Sequence, residues 1–318
     1  MRIAPAGSGR VMSARRVAAI DVGTNTVLLL VAEGTAENPV PVLERATITR
    51  LGAGVDRTGR LSKEAMHRTA LCLEEYRVLA SERHATAVDV VCTSAARDAE
   101  NGIEFLDLAA GVLGVTPRII DGDEEGRLTF DGAITGLDLH GDALVFDIGG
   151  GSTEIIFGEA SGTSARVHAT TSLDVGSVRL TERHVRSDPP SSAELSAVRA
   201  DIDRALSTVP RRSTSELVGV AGTVTTLSAI HQGLSVYDPA IVHGSRLSRQ
   251  VVSEIGTRLA ALPLEARRRV TGLEPGRADV IVAGAELVER VLAWAGMDSL
   301  RVSDRGVRWG LARALLRR

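Results

Sequence analysis

The sequence predicts an α/β protein of two domains facing each other across a cleft, and three observations carry that reading. One phrase is written twice: residues 17–34 read VAAIDVGTNTVLLLVAEG, and residues 143–160 read ALVFDIGGGSTEIIFGEA. Strand-like and helix-like stretches alternate along the chain, with glycine at the joints. The 318 residues suffice for two cores, since a typical domain takes roughly 100–150.

The elements follow in order. Val17–Ile20 and Val27–Ala32 are apolar, β-rich runs joined by a turn at Asp21–Thr26, and Val40–Leu51 supplies a third strand. After the glycine-rich link LGAGVDRTGR, Ser62 caps a helix that runs to Arg83. Ala87–Thr93 is a strand, Ile103–Leu113 a helix, Thr116–Ile120 a strand and Asp123–Thr135 a helix. The domain boundary falls in GLDLHG, dividing the chain into residues 16–137 and 138–302, with residues 1–15 as an N-terminal extension. In the second half, Leu144–Phe146, Glu154–Phe157 and Arg166–Thr171 are strands, and Asp188–Ser192 is a proline-bearing link. Ala193–Leu206 is a helix and Leu217–Val220 a strand, with further helices at Ser248–Leu259 and Arg277–Ala295. A last amphipathic helix places Val307, Leu311, Ala314 and Leu315 at helical spacing.

Superposing the two copies pairs Asp21 with Asp147, Gly23 with Gly149 and Thr26 with Ser152. Glycine lets the backbone approach an anion, and successive N–H groups make a phosphate nest. Thr24, Asn25, Thr26, Ser152 and Thr153 add side-chain donors, and Gly150 and Gly151 complete the second turn. A carboxylate on each wall suits a hard cation such as Mg²⁺, with Mn²⁺ as an alternative. One such turn alone would read as an Asp-capped hairpin; two matching copies point to phosphate chemistry. A third glycine turn, in VGVAGTVTTLSAI, puts Gly222 and Thr223 between a strand and a helix start, where free N–H groups favour anions.

Proton transfer from water needs one more group. The cluster DGDEEGR holds Asp121, Asp123, Glu124 and Glu125. Acidic residues at a helix start normally serve its dipole, yet one of the two glutamates, held near the cleft, would serve as base; the residues alone do not choose between them. Arg97 follows a strand and has the planar fork that phosphate accepts. His243, in a loop with Tyr237 and Arg246, is a further substrate contact or a structural histidine.

Composition narrows the alternatives. Net charge is -3, unlike a general nucleic-acid binder. No stretch of about 18 apolar residues offers a membrane span, and no signal-like h-region opens the chain, so the cytoplasm is expected. Cys72 and Cys92 have no metal-ligand spacing and read as buried thiols. The arginines of residues 301–318 offer either a polyanion surface or the solvated face of a terminal helix.

Taken together, the chain resembles the exopolyphosphatase and guanosine pentaphosphate phosphohydrolase (Ppx/GppA) family. The matching phrases run in family order: AAIDVGTNTVLLLV, VCTSAARDAEN, IIDGDEEGRLTFDGAI, LVFDIGGGSTEII, GVAGTVTTL, VYDPAIVHGSRLS, GRADVIVAGAELV and VSDRGVRWGL. The resemblance implies two ribonuclease-H-like domains of the actin, Hsp70 and sugar-kinase superfamily, in the short two-domain form. It implies Asp21 and Asp147 as the Mg²⁺ site, Glu125 as general base and Arg97 as a catalytic arginine. It further implies that a C-terminal helix, residues 303–318, returns to complete the first domain, and that the protein is a homodimer. Inorganic polyphosphate is the implied substrate. Guanosine pentaphosphate is the alternative, with the tetraphosphate as a possible inhibitor; a small-molecule kinase and a non-catalytic sensor are remoter readings. Trp309 and Ala283 depart from the family phrases, where glutamate and proline are frequent.

Overall fold

The computed structural model describes residues 15–318, so all but the last residue of the expected N-terminal extension lies outside the described residues. Its first sheet contains β1 (Val17–Val22), β2 (Thr26–Gly34), β3 (Pro39–Ile48), β4 (Ala87–Cys92) and β5 (Arg118–Ile119), in the order β3-β2-β1-β4-β5. The second contains β6 (His140–Ile148), β7 (Thr153–Ser161), β8 (Ser164–Leu173), β9 (Glu216–Val220), β10 (Arg246–Ser248) and β11 (Ser299–Val302), in the order β10-β11-β9-β6-β7-β8. The duplicated phrase is a duplicated structure. In each sheet an antiparallel meander begins with the copied hairpin, and the next strand pairs parallel to the meander's first, β4 to β1 and β9 to β6.

The helices are α1 (Val55–Thr58), α2 (Lys63–Glu82), α3 (Ser94–Asp98), α4 (Gly102–Leu113), α5 (Gly122–Ala133), α6 (Ser177–His184) and α7 (Ser192–Leu206). They continue with α8 (Ala221–His231), α9 (Pro239–Val242), α10 (Arg249–Ala260), α11 (Leu264–Arg267), α12 (Ile281–Ala295) and α13 (Val307–Arg317). Caps define the long ones. The Ser62 side chain accepts from Ala65 N–H, Asp121 from Glu124 N–H and Ser248 from Val251 N–H; Ser191 and Glu194 form a reciprocal capping box. Two starts differ from the sequence reading. The helix expected from Arg277 begins at Ile281, because Pro275–Arg277 takes a tighter 3₁₀ turn. The segment after Thr93, to which the sequence reading gives no element, is the five-residue helix α3.

Packing explains why β1 is buried along its whole length. Ala18, Ile20 and Val22 face a core shared with α2 and α4, while Val17 and Ala19 face Val307, Trp309 and Leu311 of α13. The second sheet is likewise covered on both faces. One side takes α8, α10 and α12; the other takes Phe130 and Ala133 of α5 and Ile134 at its C-terminal cap. Thus α5 precedes the second sheet and packs on it, while α13 follows that sheet and packs on the first. These two helices touch each other backbone to backbone. A Cβ on Gly132 would lie 2.2 Å from the Gly306 carbonyl oxygen, and one on Gly310 would lie 2.1 Å from that of Leu128.

Candidate active site

The two copied turns face one another across a cavity of about 910 Å³, whose wall includes Asp21, Gly23, Thr24, Asn25 and Thr26 on one side and Asp147, Gly149, Gly150 and Ser152 on the other. Each turn is closed by the same bond: Gly23 N–H donates to the Thr26 carbonyl and Gly149 N–H to that of Ser152, at 3.1 and 3.0 Å. Close approach sets the glycine requirement in the second turn, since a Cβ on Gly151 would lie 2.4 Å from Ser94 Oγ and 3.0 Å from Thr24 Oγ1. The Thr24 and Ser94 hydroxyls themselves meet at 2.9 Å.

Hairpin register delivers the carboxylates. Asp21 pairs across its hairpin with Leu28, and Asp147 across its own with Glu154. Side chains paired this way share one face of the sheet, so the second copy presents two carboxylates where the first presents an acid and a leucine. Glu154 is buried and accepts from Ser172 Oγ at 2.8 Å. Glu125, near the start of α5, is also on the cavity wall. Its neighbour Glu124 turns outward to Arg118, at 2.5 Å, and Asp121 serves the helix as its cap. The structure thus separates the two glutamates that the sequence left equivalent.

Burial dominates the electrostatics. Asp21 is pushed up to about 7, mainly by desolvation, with Arg308 opposing and Glu154 adding. Desolvation and then Glu154 raise Asp147 and Glu125 well above the ordinary carboxylate range, and burial raises Glu154 itself. Arg97 pulls the other way, donating from Nη1 to Glu125 Oε2 at 2.9 Å and to the Ile120 carbonyl at 3.0 Å. Buried carboxylates of one sign, mutually raised, are the setting in which a cation or a transferable proton is held.

The remaining expected residues divide. Gly222 reaches the cavity wall at the start of α8. Thr223 is buried against Gly284, and Thr153 donates to the Val175 carbonyl at 2.6 Å. His243 does not reach the cavity. Its Nε2 faces the Thr135 carbonyl at 3.1 Å, and its Nδ1 lies 3.4 Å from Asp304 Oδ1. Burial, reinforced by Arg305, lowers the imidazole to about 4; the neutral ring donates from Nε2 and holds the 135–136 turn. The arginine-rich terminus is not a solvated face throughout, and its Arg308 lies on the cavity wall. Arg308 pairs with Glu44 at 2.8 Å, and Arg313 is buried. Arg305 stacks over Trp309, 4.1 Å from the ring centre, and the indole N–H of Trp309 donates to Glu44.

Among the groups at the site that drew no attention in the sequence are Glu154, buried beside Asp147 and off the cavity wall, and Arg277, which is on that wall. Glu154 is legible in retrospect, because it and Asp147 are equally spaced about the GGGS turn. Arg277 is not: it comes from the second half and donates to Thr26 Oγ1 at 3.1 Å, lying so close over Gly222 that a Cβ there would be 2.1 Å from its Nη1.

Comparison with known proteins agrees with this architecture. The model of the Ppx/GppA phosphatase family matches residues 30–318. Exopolyphosphatase 2 of Mycobacterium tuberculosis is 42% identical, over 96% of this chain and 99% of that protein. Among solved structures, an exopolyphosphatase-like protein superposes with a TM-score of 0.88 at 35% identity, covering 95% of this chain and 99% of that one. The Aquifex aeolicus member of the Ppx/GppA family superposes with a TM-score of 0.80 at 34% identity, covering 95% and 97%. The chain belongs to the Ppx/GppA phosphatase family and is a hydrolase of that family. No helix among the described residues is long and apolar enough to cross a membrane.

Proposed function

We propose that the protein is an exopolyphosphatase, hydrolysing the terminal phosphoanhydride of inorganic polyphosphate and releasing orthophosphate. The observation that carries this reading is the convergence of Asp21, Glu125, Asp147 and Glu154, all buried and all shifted toward their protonated forms, at two glycine turns. The same reading takes the two sheets as ribonuclease-H-like halves of the actin, Hsp70 and sugar-kinase superfamily, and the protein as a cytoplasmic homodimer.

The residues fit a divalent cation. Asp21 Oδ1 is buried with no hydrogen-bond partner, and Asp147 Oδ2 has only the Thr129 hydroxyl at 3.4 Å. Among the described residues no three His, Cys, Asp or Glu side chains form a ligand cluster. Two carboxylates completed by water and phosphate oxygens are what Mg²⁺ accepts, and Mn²⁺ takes the same donors. Asp21 and Asp147 would hold the ion, which when bound neutralises phosphate charge.

The chain's own groups account for the rest. N–H groups of the two glycine turns and of the α8 start would grip the terminal phosphoryl, with Thr26 and Ser152 hydroxyls beside them. Arg277 and Arg308 would balance charge on the chain behind it. Glu125, with Oε2 engaged by Arg97, has Oε1 left to orient water and take its proton, and its raised proton affinity suits a base working near neutrality. Arg97 keeps that carboxylate aimed and adds positive charge where the transferring group develops negative charge.

A second reading, removal of the terminal 5′-phosphate of guanosine pentaphosphate, is favoured by one observation. Leu28, Ala46 and Leu234 line the same cavity with the ring of Tyr237; the three aliphatic side chains offer an inorganic chain nothing, and the ring would flank a nucleoside. Phosphate release from polyphosphate and from the nucleotide, with Mg²⁺, ranks the two by kcat/KM. In that assay Glu125→Gln is expected to lose about a thousandfold in kcat with an unchanged melting temperature. Wild-type turnover by this variant would end the assignment of the base.

A further inference from the structure

Arg50 is held at the cavity by its backbone. Thr49 and Arg50 N–H groups both donate to the Asn25 carbonyl at 3.0 Å, and Gly52 N–H donates to that of Thr24 at 2.8 Å. The segment after β3 is therefore bolted to the first glycine turn. Arg50 takes φ 53, a left-handed conformation uncommon outside glycine that persists only where surroundings impose it. Its guanidinium crosses to the other half, where Nη2 donates to the Gly276 carbonyl at 2.9 Å and to Asp279 Oδ1 at 3.0 Å, and Nη1 lies 2.8 Å from Asp279 Oδ2. The halves touch closely here: a Cβ on Gly276 would lie 2.8 Å from Ile48 Cδ1.

This bridge is wet, with the Arg50 and Asp279 side chains 42% and 32% exposed. Solvent and salt screen an exposed pair even when it is two-pronged, so a competing anion of higher charge can take the place of the carboxylate. The two-pronged geometry that engages Asp279 is also the one in which arginine engages phosphate. Arg50, unlike Asp279, lies on the cavity wall.

We propose that Arg50 sets the length of phosphoanhydride chain the cleft accepts, exchanging the Asp279 carboxylate for a phosphate distant from the reacting end. The Gly276 carbonyl keeps the guanidinium aimed through the exchange. Asp279 is then a built-in competitor, and its charge works against long chains. The inference rests on the polyphosphate reading above.

The two partners therefore act with opposite sign. The full chain is assayed on tripolyphosphate and on a chain of tens of phosphates, and the ratio of kcat/KM, long over short, is read. Asp279→Asn keeps an acceptor for Arg50 without the charge and is expected to raise the ratio about tenfold. Arg50→Asn uses a residue that tolerates the left-handed backbone and is expected to lower the ratio about tenfold. It should also flatten the salt dependence of KM for the long chain. Shifts in the same direction, or none beyond twofold in either variant, would overturn the proposal. Should Arg50→Asn prove poorly folded, Asp279→Asn alone decides. A wild-type protein that releases phosphate from neither chain would instead fail the polyphosphate reading, and the inference with it.

Discussion

Asp21 is the side chain least reconciled with its surroundings, buried with one oxygen lacking a partner. It keeps its proton to about 7, against 3.8 for the ordinary group. Between those values the native state binds more protons than the unfolded chain, so without a divalent cation this residue lowers stability as pH rises through the window, and the loss is complete above it. Asp21→Asn removes that slope. With a chelator present, the variant is expected to melt above the wild type at about pH 8 and to close the gap toward about pH 4. Saturating Mg²⁺ should raise the wild-type melting temperature and leave the variant unmoved; a Mg²⁺ response intact in the variant would remove Asp21 from the cation site. The same residue shows what the sequence discloses about the site. Both aspartates and their glycine turns could be read because a repeated phrase needs no tertiary information. Glu154 needed a hairpin register, and Arg277, far away in sequence, needed the fold itself. His243 stayed undecided because a loop position says nothing about which way the ring is packed.

At the scale of elements, α13 is held by one buried arginine. Arg313 Nε donates to the Ala36 carbonyl at 2.8 Å, and Nη1 meets Asp131 Oδ1 at 2.9 Å and Thr135 Oγ1 at 3.1 Å. Nη2 donates to the Thr163 carbonyl. Helix α13 is thus pinned to α5 and to hairpin loops of both sheets. Arg313→Ala strips the Ala36 and Thr163 carbonyls of their donor and leaves Asp131 only Arg317, at 3.4 Å; it is expected to cost about 3 kcal/mol, read as a lowered denaturant midpoint. A change under about 1 kcal/mol would mean that water replaces the guanidinium. Helices with a serine cap and a clean apolar face, such as α2, α7 and α10, were legible within a residue or two. Among the elements that escaped are α3, α6 and β11. The first two have no side-chain cap and the strand is only four residues long; tertiary contacts hold them, and local preference does not announce them.

For the whole molecule, the relation between the two sheets is what the site depends on. Away from the Arg50 bridge the halves are joined by Arg179 of α6, whose Nε donates to the Gly151 carbonyl at 2.6 Å and whose Nη1 donates to Asp56 at 2.9 Å. Its Nη2 donates to Asp98, the residue after Arg97. Arg183 doubles the grip on Asp56, and Glu182 accepts from Gly54 N–H at 3.0 Å. Arg179→Ala is expected to lower kcat about tenfold, the weight of one lost charge-assisted contact, and to broaden inter-sheet distances between spin labels. Unchanged distances with lost activity would place its effect in the glycine turn alone. Between such straps, the glycine contact of α5 with α13 works as the rivet of a pair of shears. Glu125 stands seven residues from Gly132, a lever arm of about 10 Å, whereas Arg308 stands two residues from Gly310, about 3 Å. A swivel of about 10° would sweep the carboxylate about 2 Å and hardly disturb the guanidinium.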